Sequence, residues 1–425
     1  MRLQHADGTT VHVGYCSNVH QAEDLDGVVA QLATYAEPVR ERLGVDRLGI
    51  GLWLARDVVV ELASDEGQLK RLKGELAGRG LETVTLNAFP YAGFHNEVVK
   101  KDVYLPDWAD EARLTHTLDC ARVLAALLPD DARRGSVSTV PLAWREPWPA
   151  ARADTARRAL DRLAEGLAGI EADTGRTIRV GFEPEPGCVV ETTAQAAERL
   201  GGLDPERLGI CLDACHLAVQ FEDPAEAVAR LAAAGLPVVK LQASSAIEAA
   251  DPADPAAHAA LRRLAEPRFL HQTRTVRAGE VLAADDLPEA LDGALPTDTG
   301  AWRVHFHAPL HADPEPPLRT TSSQLAAVFA ELFAGPAALC DHVEVETYTW
   351  SVLPTPPTDL PGSIAAELAW AHEQLTGLGL KETVVKGRGP EGPAVKERGL
   401  ERPAPKEPDL SGPGLKGPDH SQERP

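Results

Sequence analysis

The sequence predicts an α/β protein built as a (β/α)8 TIM barrel, and two observations support this prediction. Short apolar segments of strand length alternate seven times with amphipathic segments of helix length before residue 246. Alternation of this kind is typical of parallel sheets covered by helices. Several of the apolar segments also end in a polar or acidic residue, and parallel barrels place their functional groups at these strand ends.

Length and composition agree with one large barrel. The chain has 425 residues, of which 44% are hydrophobic, so it can bury a core of barrel size. Its six cysteines do not suggest a disulfide scaffold. We find no apolar run of membrane-spanning length and no start that resembles a signal peptide, so we expect a cytoplasmic protein without membrane insertion.

The charge of the chain argues against nucleic acid as its partner. The formal net charge is -22. Residues 381–425 hold 9 Lys and Arg against 8 Asp and Glu, which leaves 33 basic and 56 acidic side chains in the rest of the chain. Such an acidic body repels phosphate backbones, and no stripe of Lys and Arg interleaved with aromatic residues offsets it. We therefore expect a small-molecule partner.

The predicted elements follow one another as strand and helix. Predicted barrel strands are Thr10–Asn18, Leu48–Leu54, Glu82–Asn87, Gly135–Ala143, Thr177–Glu183, Leu208–Asp213, Pro237–Ser245 and His342–Trp350. Predicted helices are Leu25–Leu43, Glu61–Arg79, Glu111–Leu128, Ala151–Gly175, Pro224–Ala234, Ser322–Phe333 and Ser363–Leu375. This order is that of successive βα units.

The alternation is interrupted late in the chain. Residues 246–300 are rich in Ala, Asp and Pro and are predicted to be an insertion, with a strand at Arg268–Val276 and a helical or irregular segment at Arg277–Leu291. From Lys381 the chain is rich in Lys, Glu, Pro and Gly without apolar periodicity, which predicts a disordered tail. We expect a barrel domain over residues 1–380 and a tail over residues 381–425.

Acidic residues end three of the predicted strands. One strand ends in Asp213, and His216 follows three positions later. At the mouth of a barrel, a carboxylate and an imidazole together suit Mn, Zn or Co. Taken alone, this pair also fits a helix N-cap and a surface histidine. Glu183 ends another strand, and Glu344 and Glu346 share one face of the last strand, where acidic side chains need a cation or hydrogen bonds.

Other polar residues at strand ends are candidates for binding a substrate. Asn18 and His20 follow the first strand, Asn87 ends the third, and His95 lies in the aromatic loop after it. Each of these side chains can bind a substrate hydroxyl. Asn18 fits a local turn equally well, and the loop with His95 also fits an ordinary surface loop.

Lys240, Gln242 and two histidines offer further candidates. Lys240 and Gln242 place polar side chains on the seventh strand, unlike the interior of a core strand. His305 and His307 share one face of a strand-like segment after the insertion, so they can converge on one ion or one substrate.

Three motifs resemble the xylose isomerase-like TIM-barrel superfamily of sugar phosphate isomerases, epimerases and AP endonucleases. They are Phe182-Glu183, Cys211-Leu-Asp213-Ala-Cys-His216 and Val345-Glu346-Thr347. The resemblance implies that Glu183, Asp213 and Glu346 hold a divalent metal ion (Mn, Zn, Co or Mg), with His216 near the substrate or a second metal. It also implies that Glu183 and Glu346 form an acid/base pair.

The seventh strand departs from the pattern of this superfamily. Lys240-Leu-Gln242 stands where its members carry His-x-Asn or similar. The sequence leaves open whether Gln242, His305 or His307 completes the set of metal ligands. Lys240 remains a candidate for contact with the substrate.

Several segments resemble more closely the EboE branch of the superfamily, whose members are called metabolite traffic proteins. These segments are Gly14–His20, Leu86–Tyr91, Glu183–Gly187, Val304–His307 and Val343–Trp350. The resemblance implies a link to the biosynthesis or traffic of secondary metabolites.

We therefore expect a metal-dependent isomerase or epimerase that acts on a small sugar or cyclitol, with or without a phosphate. A homodimer is compatible with the sequence. An alternative is a barrel that binds and carries a metabolite without converting it. A DNA-repair phosphodiesterase needs more histidines at the early strand ends than this chain offers, and the acidic body opposes the approach of DNA.

Overall fold

Eight parallel strands form a closed barrel in the computed structural model, which describes residues 1–383. We number them β1 to β8 along the chain: Thr10–Cys16, Leu48–Trp53, Thr85–Asn87, Arg134–Thr139, Thr177–Phe182, Leu208–Asp213, Val238–Ala243 and His342–Val345. Each strand pairs with the next, and β8 pairs with β1 to close the ring. The predicted (β/α)8 barrel is confirmed.

Helices occupy the connections between the strands. From β1 to β7 they are Leu25–Gln31, Leu32–Ala36, Glu37–Leu43, Arg56–Ser64, Glu66–Gly78, Glu111–Leu127, Ala150–Thr174, Thr193–Leu200, Ala214–Val219 and Pro224–Ala233. Ser322–Phe333 precedes β8 and Leu360–Gly377 follows it. The helix Ala150–Thr174 buries one apolar face and ends where Gly175 adopts a φ of 67°, which glycine tolerates best.

Side-chain capping changes one predicted helix. The segment Glu61–Arg79 does not form one helix, because the chain breaks at Asp65. Its carboxylate accepts hydrogen bonds from the main-chain N–H groups of Gly67 and Gln68, and so caps the helix that follows. Local hydrogen bonding therefore divides an amphipathic pattern that reads as continuous in the sequence.

Four predicted strands, β1, β4, β7 and β8, end two or more residues earlier than expected at the mouth of the barrel. β1 ends at Cys16 and β8 ends at Val345, so Asn18 and Glu346 lie just beyond the sheet. The chain turns in a single 3-10 turn, Ser17–Val19, directly after β1. Both polar side chains therefore lie beyond the last paired residues of their strands.

The insertion between β7 and the helix Ser322–Phe333 has its own antiparallel sheet, here called the insertion sheet. Its strands, in spatial order, are Glu280–Ala284, Thr273–Arg277, Trp302–Val304, Ile247–Ala249 and Arg319–Thr320. The insertion therefore extends beyond the predicted limit of residue 300. The predicted irregular segment Arg277–Leu291 also contains a strand, because that strand pairs with Thr273–Arg277 as a hairpin.

The N-terminal strand and the start of the predicted tail pair with each other. Arg2–Gln4 pairs antiparallel with β1 on one side and with Lys381–Glu382 on the other. The rest of the predicted tail, residues 384–425, lies outside the described residues. Within residues 1–383, no helix combines the length and hydrophobicity that crossing a lipid bilayer requires.

The interior of the barrel contains a buried ion pair. Lys240 on β7 lies 2.6 Å from Oε2 of Glu344 on β8, and both side chains are fully buried. Lys240 also donates a hydrogen bond to Ser138 Oγ at 3.2 Å. A Cβ at Gly51 on β2 would overlap Glu344 Oε1, so glycine leaves the space that this carboxylate occupies.

We expect Gly51→Ala to lower the free energy of unfolding by about 1–3 kcal/mol, because the added methyl group must displace a buried, paired carboxylate. Gly74→Ala is the matched control, since a Cβ there meets no atom within 4 Å. This exposed helical position should gain about 0.5–1 kcal/mol. Urea unfolding measures both values, and equal effects of the two substitutions would contradict the packing argument.

Candidate active site

Three carboxylates meet at one mouth of the barrel. Glu183 directly follows β5, Asp213 is the last residue of β6, and Glu346 directly follows β8. One oxygen of each lies within 4.8 Å of the others, and all three side chains are buried. We call these residues the carboxylate cluster. The structure therefore brings together the three strand-end acids that the sequence singles out.

Hydrogen bonds fix two members of the cluster. Asn18 Nδ2 and Asn87 Nδ2 donate to Glu346 Oε1 at 2.8 and 3.0 Å. Ser244 Oγ donates to Asp213 Oδ1 at 2.8 Å, and the main-chain N–H of His216 donates to the same oxygen. Both asparagines thus hold a carboxylate in place, and each also lines the pocket.

The cluster retains buried acceptor atoms without partners. Glu183 Oε2 and Asp213 Oδ2 have no hydrogen-bond partner among the described residues. Burial and the charges of Glu346 and Asp213 raise the pKa of Glu183 well above its usual range. Burial and the charges of Asp213 and Glu344 do the same to the pKa of Glu346. Such a group of acids needs protons or a cation to be stable.

His307 lies beside the cluster with one ring nitrogen free. Its Nδ1 lies 2.8 Å from the main-chain oxygen of Glu346, which can only accept, so Nδ1 carries the proton. Nε2 then presents a lone pair, has no partner among residues 1–383, and lies 3.9 Å from Asp213 Oδ2. This tautomer is the one that a metal-binding histidine adopts.

His216 and His305, here called the histidine pair, face each other through their Nε2 atoms at 3.1 Å. The Nδ1 of His216 lies 3.0 Å from the main-chain oxygen of Pro184, and that of His305 lies 2.7 Å from Oε1 of Gln272. Gln272 donates through Nε2 to the main-chain oxygen of Pro186, which fixes the orientation of its amide. Both histidines therefore donate through Nδ1, and two lone pairs face each other.

The facing lone pairs of the histidine pair require a proton or a cation between them. Burial lowers the pKa of His216 to about 4. Burial, together with the neighbouring histidines, places the pKa of His305 well below its usual range. A proton is therefore disfavoured near neutral pH, and the chemistry of the pair favours a cation.

Glu185 and Tyr104 line the pocket, Gln272 contacts Tyr104, and none of the three was singled out from the sequence. Tyr104 donates to Glu185 Oε1 at 2.6 Å and accepts from Gln272 Nε2 at 2.9 Å. Burial raises the pKa of Glu185 to about 8. Only the position of Glu185 two residues after Glu183 could have suggested it. Gln272 belongs to the insertion, where no sequence pattern marks a site.

Three residues predicted to bind substrate do not line this pocket. The ring of His20 stacks on Tyr35 at a centroid distance of 4.3 Å. His95 packs on Trp53, behind the pocket wall. Lys240 is buried inside the barrel with its ammonium group paired to Glu344. Each side chain is enclosed by its neighbours, so the structure does not bring these three residues to the pocket, and their contact with a substrate stays a prediction.

Gln242, predicted as a metal ligand, lies on β7 in register with Asp213 of β6 and with Glu344 of β8. It is fully buried, and neither atom of its amide has a partner in the described part of the chain. Because its amide oxygen has no partner and Gln242 lies in register with Asp213, we keep Gln242 as a proposed metal ligand.

Three rings form an aromatic cap opposite the carboxylate cluster. Phe94 follows β3, Phe269 belongs to the insertion, and Tyr348 follows β8. Their centroids lie 4.9 to 5.3 Å apart. The pocket between the cap and the cluster has a free volume of about 60 Å³, enough for a few water molecules.

A sequence model of one protein family covers just over half of the chain. The family is described as xylose isomerase-like TIM barrel, and the match spans residues 41–261. The chain belongs to the xylose isomerase-like TIM barrel family. No curated protein matches the chain significantly.

Solved structures of similar fold include members of the same family. A xylose isomerase-like TIM barrel protein from Mycobacterium smegmatis in complex with magnesium is 14% identical, with 87% of this chain and 97% of that chain covered and a TM-score of 0.48. D-allulose 3-epimerase from Methylomonas in complex with D-allulose is 14% identical, with 87% and 99% covered and a TM-score of 0.44. The IolI protein with a bound zinc atom is 13% identical, with 86% and 99% covered and a TM-score of 0.44.

The residues of this xylose isomerase-like barrel fit a divalent metal ion. Among residues 1–383, four groups of candidate ligands each have their donor atoms within 4.8 Å of one another. They are Glu183 with Asp213 and Glu346, Asp213 with His216 and His307, Glu185 with His216 and His305, and Cys215 with His305 and His307. Mixed oxygen and nitrogen donors with buried, unpartnered acceptors are the donor set that Mn, Zn and Co prefer.

Proposed function

We propose that this chain is a metal-dependent isomerase or epimerase of a small sugar or cyclitol. The observation that carries the proposal is the carboxylate cluster, in which two buried oxygens, Glu183 Oε2 and Asp213 Oδ2, lack partners among the described residues, and the free Nε2 of His307 lies beside Asp213. Membership of the xylose isomerase-like TIM barrel family agrees with it. A fold of this kind hosts many activities, so the argument for function rests on the site.

The proposed metal ligands are the three members of the carboxylate cluster and His307, with Gln242 as a candidate. The bound ion would act as a Lewis acid that polarises a carbonyl group and its neighbouring hydroxyl. The histidine pair would hold a second cation. Metal analysis would distinguish one equivalent from two.

Glu183 and Glu346 are the proposed acid/base pair. They come from β5 and from the end of β8, so they approach the pocket from different sides of the barrel mouth. One carboxylate would take the proton from the carbon next to the carbonyl group, and the other would return a proton to the opposite face. Asn18 and Asn87 hold Glu346 Oε1, which leaves its second oxygen for this work.

The pocket favours a substrate without a phosphate group. Among the described residues that line it, Lys100 is the one lysine or arginine. Its ammonium group lies 2.6 Å from Asp286 Oδ2 and donates to the main-chain oxygen of Phe269, so its charge is already neutralised. The carboxylate cluster would repel a phosphate, whereas the aromatic cap can cover the C–H face of a neutral ring.

A role in secondary-metabolite biosynthesis or traffic, as in the EboE branch, and a cytoplasmic location are parts of this proposal. The metabolite role rests on the motifs Glu183–Gly187, Val304–His307 and Val343–Trp350. Binding and transport of a metabolite without conversion is the competing function. A phosphodiesterase is disfavoured because β2 and β3 end in Trp53 and Asn87, where additional metal-binding histidines would be needed.

Solvent-proton exchange tests the proposal. Protein loaded with Mn, Co or Zn is incubated in D₂O with neutral ketoses and cyclitol ketones, and NMR follows the C–H next to the carbonyl group. We expect deuterium to enter that position in at least one compound, because removal and return of the proton exchange it with solvent. Tight, saturable binding of a compound without any exchange would reject the isomerase and favour the carrier.

We expect the affinity for Mn²⁺ to rise between pH 6 and pH 8. The pKa values of Glu183 and Glu346 are raised in the metal-free site, so these carboxyl groups hold protons that the ion must displace. A higher pH removes this competition, by about tenfold in affinity per pH unit for each proton displaced. The pKa of His216 is lowered to about 4, so this ring is already neutral in that range.

Calorimetric titration in buffers of different ionisation enthalpy measures both the affinity and the number of protons released. Release of one or more protons at pH 7 is the expected result. An affinity that changes only below pH 6, where histidines gain protons, would contradict this assignment.

A further inference from the structure

The two chain segments that carry Glu346 and His307 lie outside regular secondary structure. β8 ends at Val345, and the nearest strand of the insertion sheet ends at Val304. Residues in such segments are not held by a continuous ladder of main-chain hydrogen bonds. A metal site needs its ligands fixed to within about 0.5 Å, so other contacts must hold these segments.

The two segments are linked directly to each other. His307 Nδ1 donates to the main-chain oxygen of Glu346 at 2.8 Å, and Thr349 Oγ1 donates to the main-chain oxygen of His307 at 2.5 Å. These bonds set the distance between the segments. Each segment also has one main-chain bond to the end of β7 or just beyond it, from Glu346 N–H to the oxygen of Ala243 at 3.1 Å and from Ala308 N–H to the oxygen of Ser245 at 2.8 Å.

Glu367 attaches both segments to a second element, the helix that follows β8. It lies on the helix Leu360–Gly377, and its side chain is buried. Its Oε1 accepts from Thr347 Oγ1 at 2.6 Å and from the main-chain N–H of Leu310 at 3.0 Å. Thr347 is the residue after Glu346, and Leu310 is three residues after His307. A single carboxyl oxygen therefore binds both ligand-bearing segments to one helix.

A buried carboxyl group at this position lowers the stability of the fold unless hydrogen bonds compensate for its removal from water. The side chains of Ile364, Leu368 and Ala371 on the same helix are buried and apolar. An apolar residue in place of Glu367 would avoid the cost of removing a carboxyl group from water. It would also leave the N–H of Leu310 and the hydroxyl of Thr347 buried without this acceptor.

We propose that Glu367 is a positioning residue of the metal centre, which holds the His307 and Glu346 segments at the spacing that metal binding requires. The inference rests on the proposed function, since it assumes that His307 and Glu346 bind the metal. Glu367 itself lies outside the pocket lining and contacts neither metal nor substrate.

Co²⁺ affinity and the visible spectrum of bound Co²⁺ test this role. We expect Glu367→Ala to weaken Co²⁺ binding by about 10–100-fold and to alter the d–d absorption bands, because the ligand geometry relaxes. Glu367→Gln should stay close to wild type. Burial raises the pKa of Glu367 to about 8, so a neutral side chain with the same acceptor oxygen resembles its state near pH 7.

Two further variants separate positioning from loss of stability. Leu368→Ala removes a buried neighbour on the same helix and should lower the melting temperature without changing the Co²⁺ spectrum. Thr347→Val removes the donor of the same hydrogen bond and should also weaken Co²⁺ binding. In the double variant, the loss of Co²⁺ affinity should be smaller than the sum of the two single losses, because both substitutions remove one interaction. Thr347→Val also tests the bond if Glu367→Ala does not fold.

The outcomes distinguish this inference from the proposed function. Wild-type protein that binds no Co²⁺ would overturn the metal centre itself. Wild-type protein that binds Co²⁺ while Glu367→Ala and Thr347→Val bind it equally well, with the same spectrum, would overturn the positioning role alone. An equal spectral change in Leu368→Ala would also overturn it, because any weakening of the helix would then suffice.

Discussion

Asp213→Asn should weaken binding of a divalent metal ion by more than about 100-fold and abolish turnover. Asp213 belongs to two of the candidate ligand groups, so it is the residue through which the carboxylate cluster joins the histidines. The substitution keeps the shape of the side chain and an oxygen that can accept from Ser244. It removes the negative charge of a proposed metal ligand. Residues that only hold a ligand in place contribute about 10–100-fold to metal affinity, and a direct ligand should contribute more. Elemental analysis and titration with Mn²⁺ measure the loss.

Ser244→Ala is the matched control for this substitution. It removes the hydroxyl that donates to Asp213 Oδ1 at 2.8 Å and leaves the carboxylate in place. We expect a loss of about 10–100-fold in metal affinity, smaller than that of Asp213→Asn. Near-equal metal content in wild type and Asp213→Asn would place the ion elsewhere, or show that the protein binds none.

The barrel and the carboxylate cluster could be predicted because both depend on local sequence. Strand β6 has the predicted bounds and β5 ends one residue before the predicted end at Glu183, since each is a short apolar segment bounded by polar residues. Parallel strands bring their carboxyl ends to one edge, so Glu183 and Asp213 had to meet once the fold was known. Membership of the family agrees with that prediction.

The rest of the site depends on contacts that no local pattern encodes. His305 reaches the mouth because the insertion folds back, and its tautomer is set by Gln272, which lies in a segment without periodicity. The position of Lys240 was predictable, but its role was not, because the partner that neutralises it is Glu344 on the next strand of the barrel. Long-range pairing decides whether a polar side chain in a barrel faces substrate or fills the core.

Glu183→Gln should lower turnover by about 10²–10⁴-fold, because it removes one of the two groups proposed to carry the substrate proton. The reaction is measured with saturating metal, since the substitution also removes a charged ligand. Glu82→Gln serves as the control. Glu82 is a buried glutamate whose partners are Arg2, Arg47 and His12, and none of these residues lines the pocket. That variant should lose stability and keep its turnover.

Deuterium exchange separates a base from a simple ligand in the Glu183→Gln variant. With two bases, each epimer gives its proton to a different carboxylate, so Glu346 should still exchange the proton of one epimer with solvent. The variant should therefore lose interconversion while it retains exchange from a single substrate epimer. Equal loss of exchange from both epimers would mean that Glu183 only holds the metal, and wild-type turnover would exclude it from both roles. Exchange from only one epimer would show which face of the substrate meets Glu183 after β5 and which meets Glu346 after β8. The positions of the carboxylates alone do not give this assignment.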